Sequence, residues 1–301
     1  MKKYRTDRLL GWTGVSLSVL FTSLWAFWGI IENFHEGWYF RSLWSNLALM
    51  LGQYLIAMFV FMAFALLGLK WPKIGGAVHI IFGCSIPLYF IRNNTGALFI
   101  ALPMVAVGIL YWFGRPEPRI WAYRAVIAIP LIVLLLCGAE PVWRVSGRFN
   151  DGMVEARTIQ GEGVSLMWAP KGPGWPDDGV SWQQAKEICR RLSDDGKSLG
   201  DSASNIWRLP TVDELVRSAT RHNKNCGGVW DSATREATYQ ITPDKESPLW
   251  DIYSKVIYWW TATELNDSTA YIYVYSGGVY PREKRIGPGY LGFRAVRAVP
   301  K

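Results

Sequence analysis

The stretch LLGWTGVSLSVLFTSLWAFWGII, residues 9–31, holds no charged side chain in 23 positions. About 20 apolar residues suffice for a helix to cross a hydrocarbon core roughly 30 Å thick, so this stretch alone points to a chain set in a membrane. Reading outward from it, uncharged runs recur at residues 45–69 (25 positions), 74–91 (18), 96–113 (18) and 125–138 (14). Pro87 and Pro103 fall inside the third and fourth runs, where neighbouring helices can satisfy the freed backbone groups. The fifth run is short and needs residues 120–123 to lengthen it, with Arg124 snorkelling toward the headgroups. The expected fold class is therefore an all-α transmembrane bundle of about five helices over residues 1–138, followed by a separate α+β domain.

Charge divides the chain in the same way. Residues 1–138 carry 11 Lys plus Arg against 4 Asp plus Glu, a balance of +7, whereas residues 139–301 carry 21 against 20, a balance of +1. The overall +8 thus belongs to the apolar half and gives no basic face for nucleic acid. Lys2, Lys3, Arg5 and Arg8 precede the first run, Lys70 and Lys73 follow the second, and Arg115, Arg119 and Arg124 surround the start of the fifth. The alternate connections, residues 32–44 and 92–95, contain only Arg41 and Arg92 as basic residues. By the positive-inside rule the N-terminus is expected in the cytoplasm of a multi-pass inner (plasma) membrane protein, with residues from 139 onward periplasmic or extracellular. The first run is too long for a cleaved signal peptide and no small-residue cleavage site follows it. The lipid bilayer is the first expected partner.

Few ionisable groups accompany the apolar runs. His79 and Gln53 sit inside them without a neighbouring acid, a pattern for interhelical hydrogen bonds more than for an ion path. Glu32, His35 and Glu36 have ligand-like spacing but fall in an expected external loop, where an interfacial polar face is the simpler reading.

Residues 139–152 read as a connector. Beyond it, residues 164–168 carry a strand signal, and KGPGWPDDG at 171–179 is rich in turn formers. A helix follows: Ser181 can cap it, Gln184 completes a capping box, and Ala185, Ile188, Cys189 and Leu192 form a helical apolar stripe. A second short helix should begin near Thr211 with Asp213 and Glu214 in its first turn. Strands are expected at residues 256–261, 270–275 and 292–299, with Gly277-Gly278 turning a hairpin. Cys84 and Cys137 lie in apolar runs as small packing residues. Cys189 and Cys226 lie in the outer domain, where an oxidising compartment favours a disulfide between them; two unconnected buried thiols are the alternative.

Four segments in order carry a family resemblance. These are Trp182, Ala185, Cys189 and Leu192; then Trp207, Arg208, Leu209, Pro210 and Thr211 with Glu214-Leu215; then Tyr258, Trp259, Trp260 and Thr261 with Ala262-Thr263; and finally Gly292, Phe293, Arg294, Ala295, Val296 and Arg297. Residues 153–299 resemble the Lcl C-terminal-type domain, within the sulfatase-modifying-factor (formylglycine-generating) branch of the C-type-lectin-like fold. The resemblance implies that fold, and the chemistry of the residues themselves gives most of the motif positions packing roles. Trp207 and Leu209 would fill a core while Pro210 and Thr211 start a helix.

Enzymatic relatives set tests for this chain. Formylglycine-generating enzymes hold copper with a pair of late cysteines, and no cysteine follows Cys226. Iron-dependent relatives use clustered histidines, and the outer domain has only His222, whose spacing from Cys226 would also suit a thiolate–imidazole pair. Lectin calcium tripeptides are absent, and Asn266-Asp267 and Asp177-Asp178 read as turns. No catalytic residue, metal or cofactor is therefore assigned. The expected function is a membrane-anchored extracytoplasmic recognition module for a protein, glycan or cell-envelope ligand. A small transporter, channel or signal transducer gated by the outer domain is the second reading, and an unusual envelope enzyme the third. Tyr271, Tyr273 and Tyr275 share one strand face and, with Tyr280, form the candidate ligand face; the same face could equally be core.

Overall fold

A computed structural model describes residues 2–89, 96–287 and 289–299. The chain separates into two compact units, the first comprising Met1–Gly37 and Ser42–Arg144, the second Trp38–Arg41 and Val145–Lys301.

The first unit is helical. Its elements are α1 (Lys2–Glu32), a π-helical turn (Asn33–Gly37), α2 (Leu43–Leu49), a second π-helical segment (Met50–Tyr54), α3 (Ile56–Lys70), α4 (Pro72–Tyr89), α5 (Gly96–Phe113) and α6 (Arg119–Ser146). A five-helix transmembrane bundle is not supported. Among the described residues only two helices, Tyr4–Gly37 (34 residues) and Arg119–Ser146 (28 residues), are long and apolar enough to cross a membrane. A third span arises only if Leu43–Tyr54 and Ile56–Lys70 are counted as one segment bent by 56°. The remaining helices, Pro72–Leu88 and Ala97–Phe113, are shorter. At 1.5 Å per residue their 17 residues reach only about 26 Å, short of a core of roughly 30 Å. Uncharged run length overstated the case because it does not register breaks: the 45–69 run is interrupted at Leu55, where the helix changes from π to α. The 125–138 run was understated, since α6 extends four turns beyond it in total and continues through Pro141, over residues assigned from sequence to a connector. The connection around Arg92 lies outside the described residues.

α1 and α6 start at the same end of this unit and run parallel. The Arg115 amide donates to the Asp7 carbonyl at 2.8 Å and the Trp12 indole N–H to the Glu117 carbonyl at 3.1 Å, while at the other end Gly138 faces the Ile30 side chain. Gly11 and Gly114 allow this closeness, since a Cβ on either would overlap the opposing backbone. Val15, Val107, Tyr111, Ala122 and Val126 form the shared core. Inside it Ser18 bonds the Tyr111 hydroxyl at 3.0 Å, and His79 Nδ1 lies 2.7 Å from the Gly75 carbonyl of its own helix.

The second unit is α+β. Its elements are β1 (Arg157–Gly161), β2 (Val164–Trp168), α7 (Trp182–Arg191), α8 (Val212–Ser218), β3 (Thr220–Arg221), β4 (Lys224–Asn225), β5 (Val229–Asp231), β6 (Glu236–Thr238), β7 (Tyr258–Asn266), β8 (Thr269–Val274), β9 (Val279–Glu283), β10 (Leu291–Gly292) and β11 (Val296–Ala298). The main sheet has the order β10-β7-β8-β9, with β10 parallel to β7 and the other pairs antiparallel; a second sheet has the order β1-β2-β11. Gly277, at φ 94°, turns the β8–β9 hairpin as its sequence requires.

The main sheet is covered on both faces. Trp259, Tyr271, Tyr273 and Val274 belong to one core cluster, whereas Trp260, Ala270 and Ile272 belong to another. Side chains alternate across a strand, so the tyrosines do share a face, but that face is core. Tyr271, Tyr273 and Tyr275 are buried, and Trp250 stacks on Trp259 at 3.8 Å and lies 6.4 Å from both Tyr273 and Tyr275. Of the four tyrosines proposed from sequence as a ligand face, only Tyr280 is exposed, at 57%. The row of tyrosines that suggested a binding surface is instead absorbed by the core packed against one face of the sheet.

The expected Cys189–Cys226 disulfide is likewise absent. Both cysteines are free and buried, Cys189 in the cluster beneath α7 and Cys226 in the opposite one. Burial pushes the Cys189 thiol up to about 12 and the Cys226 thiol up to about 11, far from a reactive thiolate.

Candidate functional site

The residues that carry the motifs meet at one place in the second unit. α7 begins as the sequence indicates: Gln184 N–H donates to Ser181 Oγ at 3.3 Å, and the Gln184 side chain accepts from the Ser181 amide at 2.8 Å. Trp182, Ala185 and Cys189 turn inward, leaving Gln183, Lys186, Glu187 and Arg190 along the outer face. Alongside runs the segment Trp207–Leu209. Arg208 exchanges two backbone hydrogen bonds of 2.9 Å with Val296, which joins this segment to β11. The Pro210 carbonyl accepts from the Ala262 amide at 2.8 Å, which joins it to β7. Thr211 then caps α8 in a second capping box with Glu214.

Between α7 and this segment lies a cleft of about 540 Å³. Trp182, Cys189, Trp207 and Leu209 form its buried floor, and Gln183, Lys186, Glu187, Arg190, Asn205, Arg208 and Ala262 its exposed wall. The floor is rigid: the Trp182 indole N–H donates to the Thr261 carbonyl at 2.9 Å and that of Trp207 to the Ser193 carbonyl at 2.8 Å. Asn205, at φ 55°, is fixed by an amide hydrogen bond of 3.1 Å to the Arg190 carbonyl.

Charges on the wall are largely paired. Arg190 makes two bonds to Glu187, at 2.9 and 2.8 Å, and Arg208 two to Glu214, at 2.7 and 2.6 Å. Burial works to raise the Glu214 carboxyl, but the Arg208 guanidinium and the Thr211 amide together hold it below the usual carboxylate range. The Lys186 ammonium rests 4.3 Å from the centroid of the Trp182 ring, a cation–π contact.

The remaining motif residues build the frame. Tyr258 and Trp259 lie at the start of β7, and Gly292 ends β10. Phe293 is fully buried in the cluster under the cleft. Arg294 is fully buried too: its guanidinium donates to the carbonyls of Ala169 (2.9 Å), Pro248 (2.9 Å) and Leu249 (2.8 Å) and lies 3.6 Å from the Trp175 ring centroid. Its burial lowers its pKa well below the ordinary value, helped by Arg157 and opposed by Asp151 and Asp251. His222 faces Glu246, with Nδ1 3.4 Å from the carboxylate. Among the described residues no three His, Cys, Asp or Glu side chains converge as a metal site would require.

No protein-family model, curated protein or solved structure matches the chain. The resemblance to the Lcl C-terminal-type domain therefore rests on the motif residues themselves. Of the residues lining the cleft, Trp182, Cys189, Trp207, Arg208, Leu209 and Ala262 belong to the motif segments, while Gln183, Lys186, Glu187, Arg190 and Asn205 were not singled out from sequence. The signal for most of them was available: Gln183, Lys186, Glu187 and Arg190 recur at helical spacing opposite the apolar stripe of α7.

Proposed function

We propose that this chain is a membrane-anchored recognition module, with the second unit a relative of the Lcl C-terminal-type domain that binds a protein or cell-envelope ligand in the cleft between α7 and Trp207–Leu209. The observation that carries this reading is the cleft itself. An apolar floor locked by indole hydrogen bonds and a wall of polar groups on rigid elements is the usual construction of a small-ligand or peptide site. Its volume of about 540 Å³ lies within the range of roughly 300–1,000 Å³ typical of such sites.

Anchoring is supported by α1 and α6, whose outward faces carry Leu20, Leu24, Trp28, Leu135, Leu136 and Trp143, all more than half exposed. Because both helices start at the end that gathers Arg5, Arg8, Arg115 and Arg119, a membrane crossed by both would separate that end from the chain beyond Ser146. With the basic end cytoplasmic, the second unit is extracytoplasmic. This argument depends on the parallel course of α1 and α6 and not on the number of spans between them.

The reading is tested by placing a photo-crosslinking amino acid at Asn205 or Ala262, and as a control at Tyr280, in the full chain in cells. The expected result is a discrete crosslinked species from the cleft positions that disappears when the cleft is filled by Ala262→Trp in the Asn205-labelled chain. Crosslinks from Tyr280 alone, or from Asn205 unaffected by Ala262→Trp, would overturn it.

A further inference from the structure

We infer that the cleft selects a ligand with one carboxylate beside an apolar group, the chemistry of the C-terminal residue of a peptide; this rests on the cleft being the recognition site. The first argument is charge. Arg190 is neutralised by Glu187 and Arg208 by Glu214, each through two hydrogen bonds, whereas Lys186 has no carboxylate partner among the described residues. One cation thus remains for an incoming anion. It stands at the edge of an apolar floor, where a charge-assisted bond is stronger than in open water.

The second argument is the shape of the floor. Sugar rings bind by lying across an exposed aromatic face, and the two indoles here are only 6% (Trp182) and 3% (Trp207) exposed, with both N–H groups already donated to the backbone. They present apolar contact without a free face, which suits an aliphatic or aromatic side chain. The third argument is the wall: the exposed amides of Gln183 and Asn205 offer both donors and acceptors, matching the alternating polarity of a peptide backbone. A terminal residue carries its carboxylate, its amide and its apolar side chain on one carbon, the combination that Lys186, the wall amides and the floor address together.

The test uses the full chain in detergent and two probes, N-acetyl-Ala-Ala-Leu as the free acid and as the C-terminal amide, titrated by calorimetry. The free acid should bind at least about tenfold more tightly than the amide. Lys186→Met should abolish that preference while leaving the thermal midpoint unchanged, and Lys186→Arg should retain it. Ala262→Trp should abolish binding of both probes. Equal binding of acid and amide, lost in Ala262→Trp, would overturn the carboxylate preference while leaving the cleft as the recognition site. A preference that persists in Lys186→Met would overturn the role of Lys186, and failure of both probes to bind at millimolar concentration would overturn the terminal-residue inference, with the crosslinking result deciding separately whether the cleft recognises anything.

Discussion

Replacing Tyr273 by alanine should destabilise the second unit without altering the proposed ligand site, and replacing Tyr280 should leave both unchanged. Tyr273 is fully buried in the core cluster on one face of the main sheet, 6.4 Å from the Trp250 ring that itself stacks on Trp259. Truncating a buried aromatic side chain to alanine costs about 3–5 kcal/mol through lost transfer energy and the cavity left behind. With a urea slope of about 2 kcal/mol per molar, ordinary for a unit of this size, a loss of about 4 kcal/mol lowers the midpoint by about 2 M. Tyr280 is 57% exposed on β9, so its replacement should cost about 0.5 kcal/mol or less and move the midpoint by about 0.25 M at most. The assay is urea unfolding of the full chain in detergent, followed by near-ultraviolet circular dichroism, with the probe peptides titrated in parallel. A Tyr273→Ala variant that keeps its midpoint yet loses ligand would refute the assignment of that face to the core and restore it as a binding surface.

A buried lysine gives a pH prediction. Burial first, and then the Arg148 and Lys171 charges, lower Lys245 to about 7 against the partial support of Asp251 and Asp244. The ordinary value in the unfolded chain is 10.5, so between pH 7 and 10.5 the unfolded state binds more protons and stability should rise with pH, by a total on the order of 5 kcal/mol. Below pH 7 both states are protonated and the slope vanishes; Lys245→Met should flatten the urea midpoint across this window, and a wild-type midpoint that falls from pH 7 to 10 would contradict the assignment. Maleimide should leave Cys189 and Cys226 unmodified in the folded chain and label both after unfolding, with mass spectrometry of non-reduced peptides finding them unlinked; a recovered cross-linked peptide would disprove the free-thiol arrangement. In a background with the native cysteines replaced, a cysteine at Asp201 should react with impermeant reagent from outside intact cells and one at Arg8 only after permeabilisation; the reverse pattern would reject the proposed orientation.

What sequence made legible depended on whether a signal was local. The Ser181–Gln184 capping box, the helix start at Thr211 and the β8–β9 turn at Gly277 all appear where four or five residues suffice to specify them. The number of membrane spans was not local. Whether an uncharged run crosses a bilayer depends on its being one continuous helix, and residues 45–69 conceal a change from π-helix to α-helix at Leu55 and a bend of 56°. Conversely, Arg124 shortened the apparent fifth run, although α6 carries that arginine over the ring of Trp121, at 4.9 Å, and continues as one of the two longest apolar helices.

The tyrosine face shows a different limit. Alternation along Tyr271, Tyr273 and Tyr275 establishes that they point the same way, but a strand covered on one side and a strand covered on both sides give that row of aromatics the same pattern. The discriminating residues are their neighbours: Ala270 and Ile272 on the opposite face are also buried, so β8 is apolar on both sides, with no polar residue between Ala270 and Val274 except the tyrosine hydroxyls. A strand of that composition needs a second layer, and α7 supplies it. Its apolar stripe, Ala185, Cys189 and Leu192, closes over Ile272 and Phe293, which leaves its charged side beside Trp207 and creates the cleft. The cleft proposed as the recognition surface thus follows from the need to cover the other face of the tyrosine strand, and its residues come from the helix and loop that do the covering.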